Sequence, residues 1–174
     1  DAGPLSDKAV QGRVDFTANL SGQGDVASGA ISGSFNMRSG VMAGTSFTNM
    51  SGQFVKKGNV LEVSNLAVSA LGQRLNASGQ VTFDAGKTSL NMNVSSPGME
   101  ITAFQPTAPL KGAVAFQAAV TGTPDKFAAR GNFQIPAGQL GIFSLTNGSG
   151  GFRYADEVVT IENGRANALG GTVT

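Results

Sequence analysis

The 174-residue chain has no cysteine and no histidine. The first absence excludes a disulfide framework, a thiolate nucleophile and a thiolate metal site. The second removes the commonest general base, metal ligand and triad partner. Charge is scarce too, at 13% of residues, where roughly 25% is usual. With a net charge of +1 and no basic cluster, there is little electrostatic pull towards nucleic acid or an anionic membrane. No apolar run approaches the roughly 18 residues that cross a bilayer as a helix. The carboxylates of Asp15, Asp25, Asp84, Glu100, Asp125, Asp156, Glu157 and Glu162 stand on polar faces or in turns, which solvated surface positions explain better than catalysis does. The chain therefore reads as a non-enzyme with no metal site and no cofactor.

What is abundant is Gly, Ser, Thr, Asn and Gln, and they recur in a pattern. Gly33 to Gly72 returns as Gly131 to Gly170, an offset of 98 that joins Phe35 to Phe133, Asn49 to Asn147, Gly52 to Gly150, Phe54 to Phe152 and Asn65 to Asn163. Gly12, Val14, Phe16 and Gly22 return as Gly112, Val114, Phe116 and Gly122, at an offset of 100. A period this long spans several hairpins. It divides the chain into a first repeat over 1–98 and a second, truncated one over 99–174. The chain opens at Asp1-Ala2-Gly3-Pro4 without a Met or a signal peptide, and its second repeat stops just after Val173 begins a strand. It reads as a piece of something longer.

Within each repeat apolar residues alternate with polar ones, the signature of half-buried antiparallel strands. Val14, Phe16, Ala18 and Leu20 share one face; after a turn at Ser21–Asp25, so do Ala27, Gly29, Ile31, Gly33, Phe35 and Met37. Arg38-Ser39-Gly40 reads as the next turn, Val41–Phe54 as a less regular stretch ending with Met50, Gly52 and Phe54 on one face, and Lys56–Asn59 as a hairpin turn. The apolar register slips from Leu61 and Val63 to Leu66 and Val68, with Asn65 at the slip, and slips again at Asn163-Gly164. A β-bulge explains both. Further strands carry Val81 and Phe83; Leu90, Met92 and Val94; Val114, Phe116 and Val120; Phe127, Phe133 and Ile135; and Phe152 and Ile161. Turns are expected at Asp84–Lys87 and at Asp156-Glu157, and Ser95–Gly98 is expected to end the first repeat. Leu5–Val10 and Glu100–Phe104 read as short helical plugs, the latter stopped by Pro106 and Pro109. The fold class is all-β, an elongated antiparallel sheet with one apolar and one polar face. Lys56, Lys57 and the Asn65 bulge are expected to guard its open edges.

Gly22-Gln23-Gly24-Asp25-Val26-Ala27 imitates a nucleotide-binding fingerprint, but a strand follows it where the fingerprint needs a helix. Turn glycines account for it better. The apolar stripes have two readings. On periodicity they suit a closed sandwich whose sheets bury one another. Against that, Ala18, Ala27, Gly29, Gly33, Ala77, Gly79, Ala118, Ala129 and Gly131 fill a closed core poorly, and a long repeat suits one-dimensional extension.

Leu110–Phe116, Val120–Pro124, Gly131–Leu140, Leu145–Phe152 and Ala166–Gly171, in this order and spacing, resemble repeats of the AsmA/TamB family of bacterial envelope proteins. The resemblance covers essentially the whole chain, twice. It implies a sheet curled lengthwise into a trough, a β-groove with an apolar interior, which carries phospholipids between inner and outer membrane. It also implies a periplasmic location in a Gram-negative-type bacterium, a parent anchored in the inner membrane, and an outer-membrane β-barrel partner reached through parts outside this chain. The lack of cysteine suits such an oxidising space. The expected partners are phospholipid acyl chains and neighbouring repeats of the same polypeptide, with no nucleic acid. The expected lining is Val14, Phe16, Leu20, Ile31, Phe35, Met37, Val81, Phe83, Leu90, Met92, Val94, Val114, Phe116, Val120, Phe127, Phe133, Ile135, Phe152 and Ile161. The competing reading is a sealed structural or adhesin-like β-repeat.

Overall fold

The computed structural model describes residues 11–21, 30–42, 45–70, 72–104 and 107–174. The expected plug at Leu5–Val10, the turn after Ser21, and Ala27 and Gly29 lie outside them.

Strict alternation with frequent Gly and Asn turns leaves an antiparallel meander as the simplest product. The strands are β1 (Gln11–Ser21), β2 (Ala30–Met42), β3 (Thr45–Lys57), β4 (Val60–Ala70), β5 (Gln73–Asp84) and β6 (Lys87–Glu100), then β7 (Leu110–Gly122), β8 (Phe127–Leu140), β9 (Phe143–Ala155), β10 (Val158–Ala168) and β11 (Gly171–Val173). One helical turn, α1 (Ile101–Phe104), interrupts them. All join a single 11-stranded antiparallel sheet in which each strand pairs with its sequence neighbours. The sheet is open, with β1 and β11 at its edges. Lys56, Lys57 and Asn65 sit on interior strands paired on both sides, so they guard no edge.

The turns follow from local chemistry. Ala85 (φ 40°) and Gly86 (φ 82°), Asp156 (φ 49°) and Glu157 (φ 64°), and Leu169 (φ 53°) and Gly170 (φ 77°) form two-residue turns with both central residues left-handed. This is the turn whose twist matches a hairpin.

Asn65 and Asn163, both at φ 51°, mark the two register slips, between Val63 and Leu66 and between Glu162 and Arg165. Asparagine tolerates this conformation better than most residues. The slip keeps Val63, opposite Gly79, and Leu66, opposite Ala77, on one face.

One expected turn is strand instead. Arg38-Ser39-Gly40 continues β2, with Ser39 opposite Thr48 and Gly40 opposite Phe47. Burial favours this pairing, because Met37, Phe47 and Ala70 form a buried cluster with Met50 and Val68 packed against it. Asn49 (φ 52°) bends the chain between Phe47 and Met50, so residues three apart reach one cluster. Ser95–Gly98, where the first repeat is expected to end, lies within β6, which runs through it with a register shift between Ser96 and Met99. The shift accommodates Pro97, which has no amide to offer a ladder. The Ser96 hydroxyl donates to the Arg74 carbonyl at 2.9 Å and accepts from the Gly98 amide at 3.4 Å.

Candidate functional site

In an antiparallel pair, residues directly opposite share a face, so the register assigns faces across the whole sheet. One row runs Ala18, Gly33, Phe54, Val63, Gly79, Met92, Val120, Ala129, Tyr154, Val159. A second begins Phe16, Phe35, Gly52 and resumes across the bulge as Leu66, Ala77, Val94, Ala118, Gly131, Phe152, Ile161. A third runs Leu20, Ile31, Lys56, Leu61, Val81, Leu90, Gly122, Phe127. Beside them lie the pairs Val14/Met37, Phe116/Phe133, Val114/Met99, Ile135/Gly148 and Phe83/Thr88. By register, the residues of the expected lining whose side chains are described share one apolar face. Lys56, at a hairpin end, is the one charged residue in these three rows.

That face is uncovered. Among the described residues only Met37, Phe47, Ala70, Ala118 and Ile135 are buried hydrophobics. Phe16 remains 71% exposed and Ile161 55% exposed, and Val14, Phe83 and Phe127 are exposed as well. A second layer packed on the sheet would have buried them. Met37 and Ile135 differ from the rest of the expected lining in being packed shut.

Side chains on this face lean together. The Phe116 and Phe152 rings meet edge to face at 6.3 Å between centroids, although their strands, β7 and β9, are separated by β8 and hence by about 9.5 Å of backbone. Phe127 stacks on Tyr154 at 5.3 Å. Glycines provide the room. Phe35 opposes Gly52 and Phe54 opposes Gly33, while Phe133 opposes Gly150 and Phe152 opposes Gly131. A Cβ at Gly33, Gly79 or Gly131 would run into the backbone carbonyl of Thr17, Asn91 or Gln117 respectively. At these points the strands approach more closely than a Cβ allows.

The opposite face is polar. Asn76, Ser95, Gln117 and Asn132 form one row, and Ser78, Asn93, Ala119, Arg130 and Arg153 another. These rows, together with Leu66, Ala77, Val94, Ala118 and Gly131 of the apolar row between them, line an open depression of about 740 Å³. Two smaller ones, of about 410 and 510 Å³, are lined in the same way by runs such as Ala115-Phe116-Gln117 and Ser34-Phe35-Asn36. In each run the outer members belong to the polar face and the middle one to the apolar face. The ion pairs Arg13–Asp15 at 3.8 Å and Lys126–Asp156 at 3.1 Å are exposed, and exposed Arg130 pairs with half-buried Glu162 at 3.3 Å. Among the described residues no group of acidic side chains is placed to hold a metal ion, and no helix is long and apolar enough to cross a membrane.

Phe54, Leu61, Val63, Leu66 and Tyr154 stand in the apolar rows but not in the expected lining, although their strands' alternation already sets them on an apolar face. The first was legible from its alternation with Gly52, and Leu66 from the slip at Asn65. Phe47 was not legible, because only the left-handed Asn49 brings it round. No family model, no curated protein and no solved structure matches the chain.

Proposed function

We propose that this chain is a lipid-conducting segment of an envelope scaffold, built from two copies of one module and curled so that its apolar face forms the floor of a trough. The observation that carries the reading is the uncovered apolar face, continuous in rows across ten strands. Each methylene of an acyl chain exposed to water costs about 0.8 kcal/mol. A tail crossing an aqueous gap therefore faces a barrier of roughly 10 kcal/mol, which an unbroken apolar floor largely removes. Because hydrophobic contact is non-directional, the tail slides from row to row without a deep trap. Met92 and Met99 on this face adapt to changing chain shape.

Several features support the two-module reading. Strands β3 (Thr45–Lys57) and β4 (Val60–Ala70) recur at an offset of 98 as β9 (Phe143–Ala155) and β10 (Val158–Ala168). Asn49 and Asn147 share φ 52°, and Asn65 and Asn163 share φ 51°. The converging rings of Phe116 and Phe152 and the backbone approaches at Gly33, Gly79 and Gly131 support a curl. The resemblance to the AsmA/TamB family adds the setting: a phospholipid bridge between inner and outer membrane, in the periplasm, with a β-barrel partner met by other parts of the parent. In this reading the chain performs no catalysis and needs no cofactor.

A sealed structural repeat is disfavoured by the exposure of Phe16 and Ile161. Native mass spectrometry of the purified protein separates the two readings. The conducting segment retains phospholipid that organic solvent extracts; a preparation free of lipid and detergent adducts refutes it.

A further inference from the structure

Because the strands form a simple meander, successive connections fall alternately on two rims, and the rims differ. On one lie Gly58-Asn59, Ala85-Gly86, Thr123–Lys126 and Asp156-Glu157, flanked by Lys56, Lys57, Asp84 and Lys87. Its neighbouring turns are tied together: the Asn59 amide donates to the Asp84 carboxylate, the Phe83 amide donates to the Asn59 carbonyl at 2.9 Å, and Lys126 pairs with Asp156 at 3.1 Å. On the other rim lie α1, Thr107-Ala108-Pro109, Gly141-Ile142 and Leu169-Gly170. None of these residues is charged, although Glu100 at the end of β6, Lys111 near the start of β7 and Arg74, two residues past Gly72 on the same rim, stand on the adjoining strands. Ile142 is 89% exposed and Leu169 84% exposed, and Leu140 and Phe143 beside them are exposed too.

Leu169 is the telling residue. It holds φ 53°, a left-handed position that Gly, Asn or Asp fills at far lower cost. A leucine that is both backbone-strained and nearly fully solvated gains nothing in the isolated fold, and strain of this kind points to a function. Gly141 (φ 61°) carries Ile142 out in the same way, and its amide donates to the Pro109 carbonyl at 3.0 Å, which ties this tip to the connection after α1.

We propose that this uncharged rim docks on a lipid bilayer, with Leu140, Ile142, Phe143 and Leu169 entering the boundary between headgroups and acyl chains. The tips are convex and stand one hairpin, about 9.5 Å, apart. A fluid acyl phase receives isolated convex apolar tips without any matching shape, whereas a protein partner would need a pit for each. Leu, Ile and Phe favour this depth. The lack of charge on these connections suits a zwitterionic surface, while the charged rim stays in water. The docking does not rest on the trough reading; if both hold, this segment lies where the bridge meets a membrane.

The test uses phosphatidylcholine vesicles and tryptophan reporters, since the chain has no native Trp. Ile142→Trp is expected to float with the vesicles and shift its emission to the blue, and Pro124→Trp on the charged rim to float without a shift. The double variant Ile142→Asp/Leu169→Asp is expected to lose at least tenfold in vesicle partitioning with an unchanged circular dichroism spectrum, because Asp suits the turn conformation of Leu169. The proposal is overturned if wild type does not float, or if the two reporters shift alike. It is also overturned if the double variant partitions normally, or if it only turns a self-associated species into a monomer. Lipid retained by the double variant is measured separately, so failure of docking and failure of the trough are distinguishable.

Discussion

The Phe35 ring lies over Gly52, its partner across β2 and β3, so closely that a Cβ on Gly52 would stand 2.9 Å from the ring's Cζ. Phe133 covers Gly150 in the same manner, with Cε1 at 3.0 Å. Each pair lets a large ring lie flat along the sheet while leaving the row beside it shallow. The apolar floor is built from such pairs, together with small residues such as Ala77 and Ala118.

These pairs predict a difference between two glycine substitutions. At Gly52 the obstacle is mainly the free end of a side chain, so Gly52→Ala displaces the Phe35 ring and costs about 1 kcal/mol or less. At Gly33 the obstacle is the Thr17 carbonyl, which cannot move without breaking the pairing of β1 with β2. Gly33→Ala is expected to destabilise by roughly 1–3 kcal/mol, in the range of overpacking. Urea unfolding midpoints of the two variants test this, and equal midpoints would contradict a backbone-limited approach at Gly33.

The bulge at Asn65 yields a second prediction. Its φ of 51° suits Gly or Asn, and its side-chain amide donates to Gln53 Oε1 at 3.1 Å. Asn65→Gly is expected to be nearly neutral. Asn65→Val forces a β-branched residue into the left-handed region and should cost about 1–2 kcal/mol. Thermal melts of the two variants check the order, and the same order is expected at Asn163.

How these features were legible differs from one to the next. The Asn65 bulge is written in the sequence, because Val63 and Leu66 break a strict alternation that resumes on either side. Asn49 performs a similar bend in β3, yet Val41–Phe54 reads only as irregular. There the clue is a three-residue spacing between Phe47 and Met50, and it acquires meaning only once Met37 and Ala70 are seen in the same cluster. Arg38-Ser39-Gly40 and Ser95–Gly98 have turn composition but strand structure, since burial of Met37 and Ser96 outweighs local preference. The apolar rows were readable strand by strand. The approaches at Gly33 and Gly131 were not, because they depend on how near the neighbouring carbonyl comes.

Ser96 provides a third prediction. It is buried, and its hydroxyl is the bond that the Arg74 carbonyl receives from it at the Pro97 bulge. Ser96→Ala removes that donor and is expected to cost about 1–2 kcal/mol through an unsatisfied carbonyl. Hydrogen exchange at Arg74 and its neighbours in β5 and β6 should rise with it. Unchanged stability and exchange would mean that water replaces the hydroxyl without loss.

The proposed conduction is tested by placing a charge on the floor. Phe35 lies half-buried beside Phe16 and Gly52, with no charged partner across either strand. Arg at this position is long enough to reach water, so Phe35→Arg should leave the strands paired and cost the fold little. A hydrocarbon tail gains nothing from that route. To pass, it must either leave the floor for water, at about 0.8 kcal/mol per methylene, or displace the hydration of the guanidinium. A break spanning three or four methylenes amounts to about 3 kcal/mol, or roughly a hundredfold in rate, at 1.4 kcal/mol per tenfold. Phe133→Glu should act in the same way on the other half of the sheet. Lipid movement measured in the full-length parent is therefore expected to fall sharply for either variant while circular dichroism stays constant. Conduction at the wild-type rate in both variants would show that acyl chains do not travel along this face.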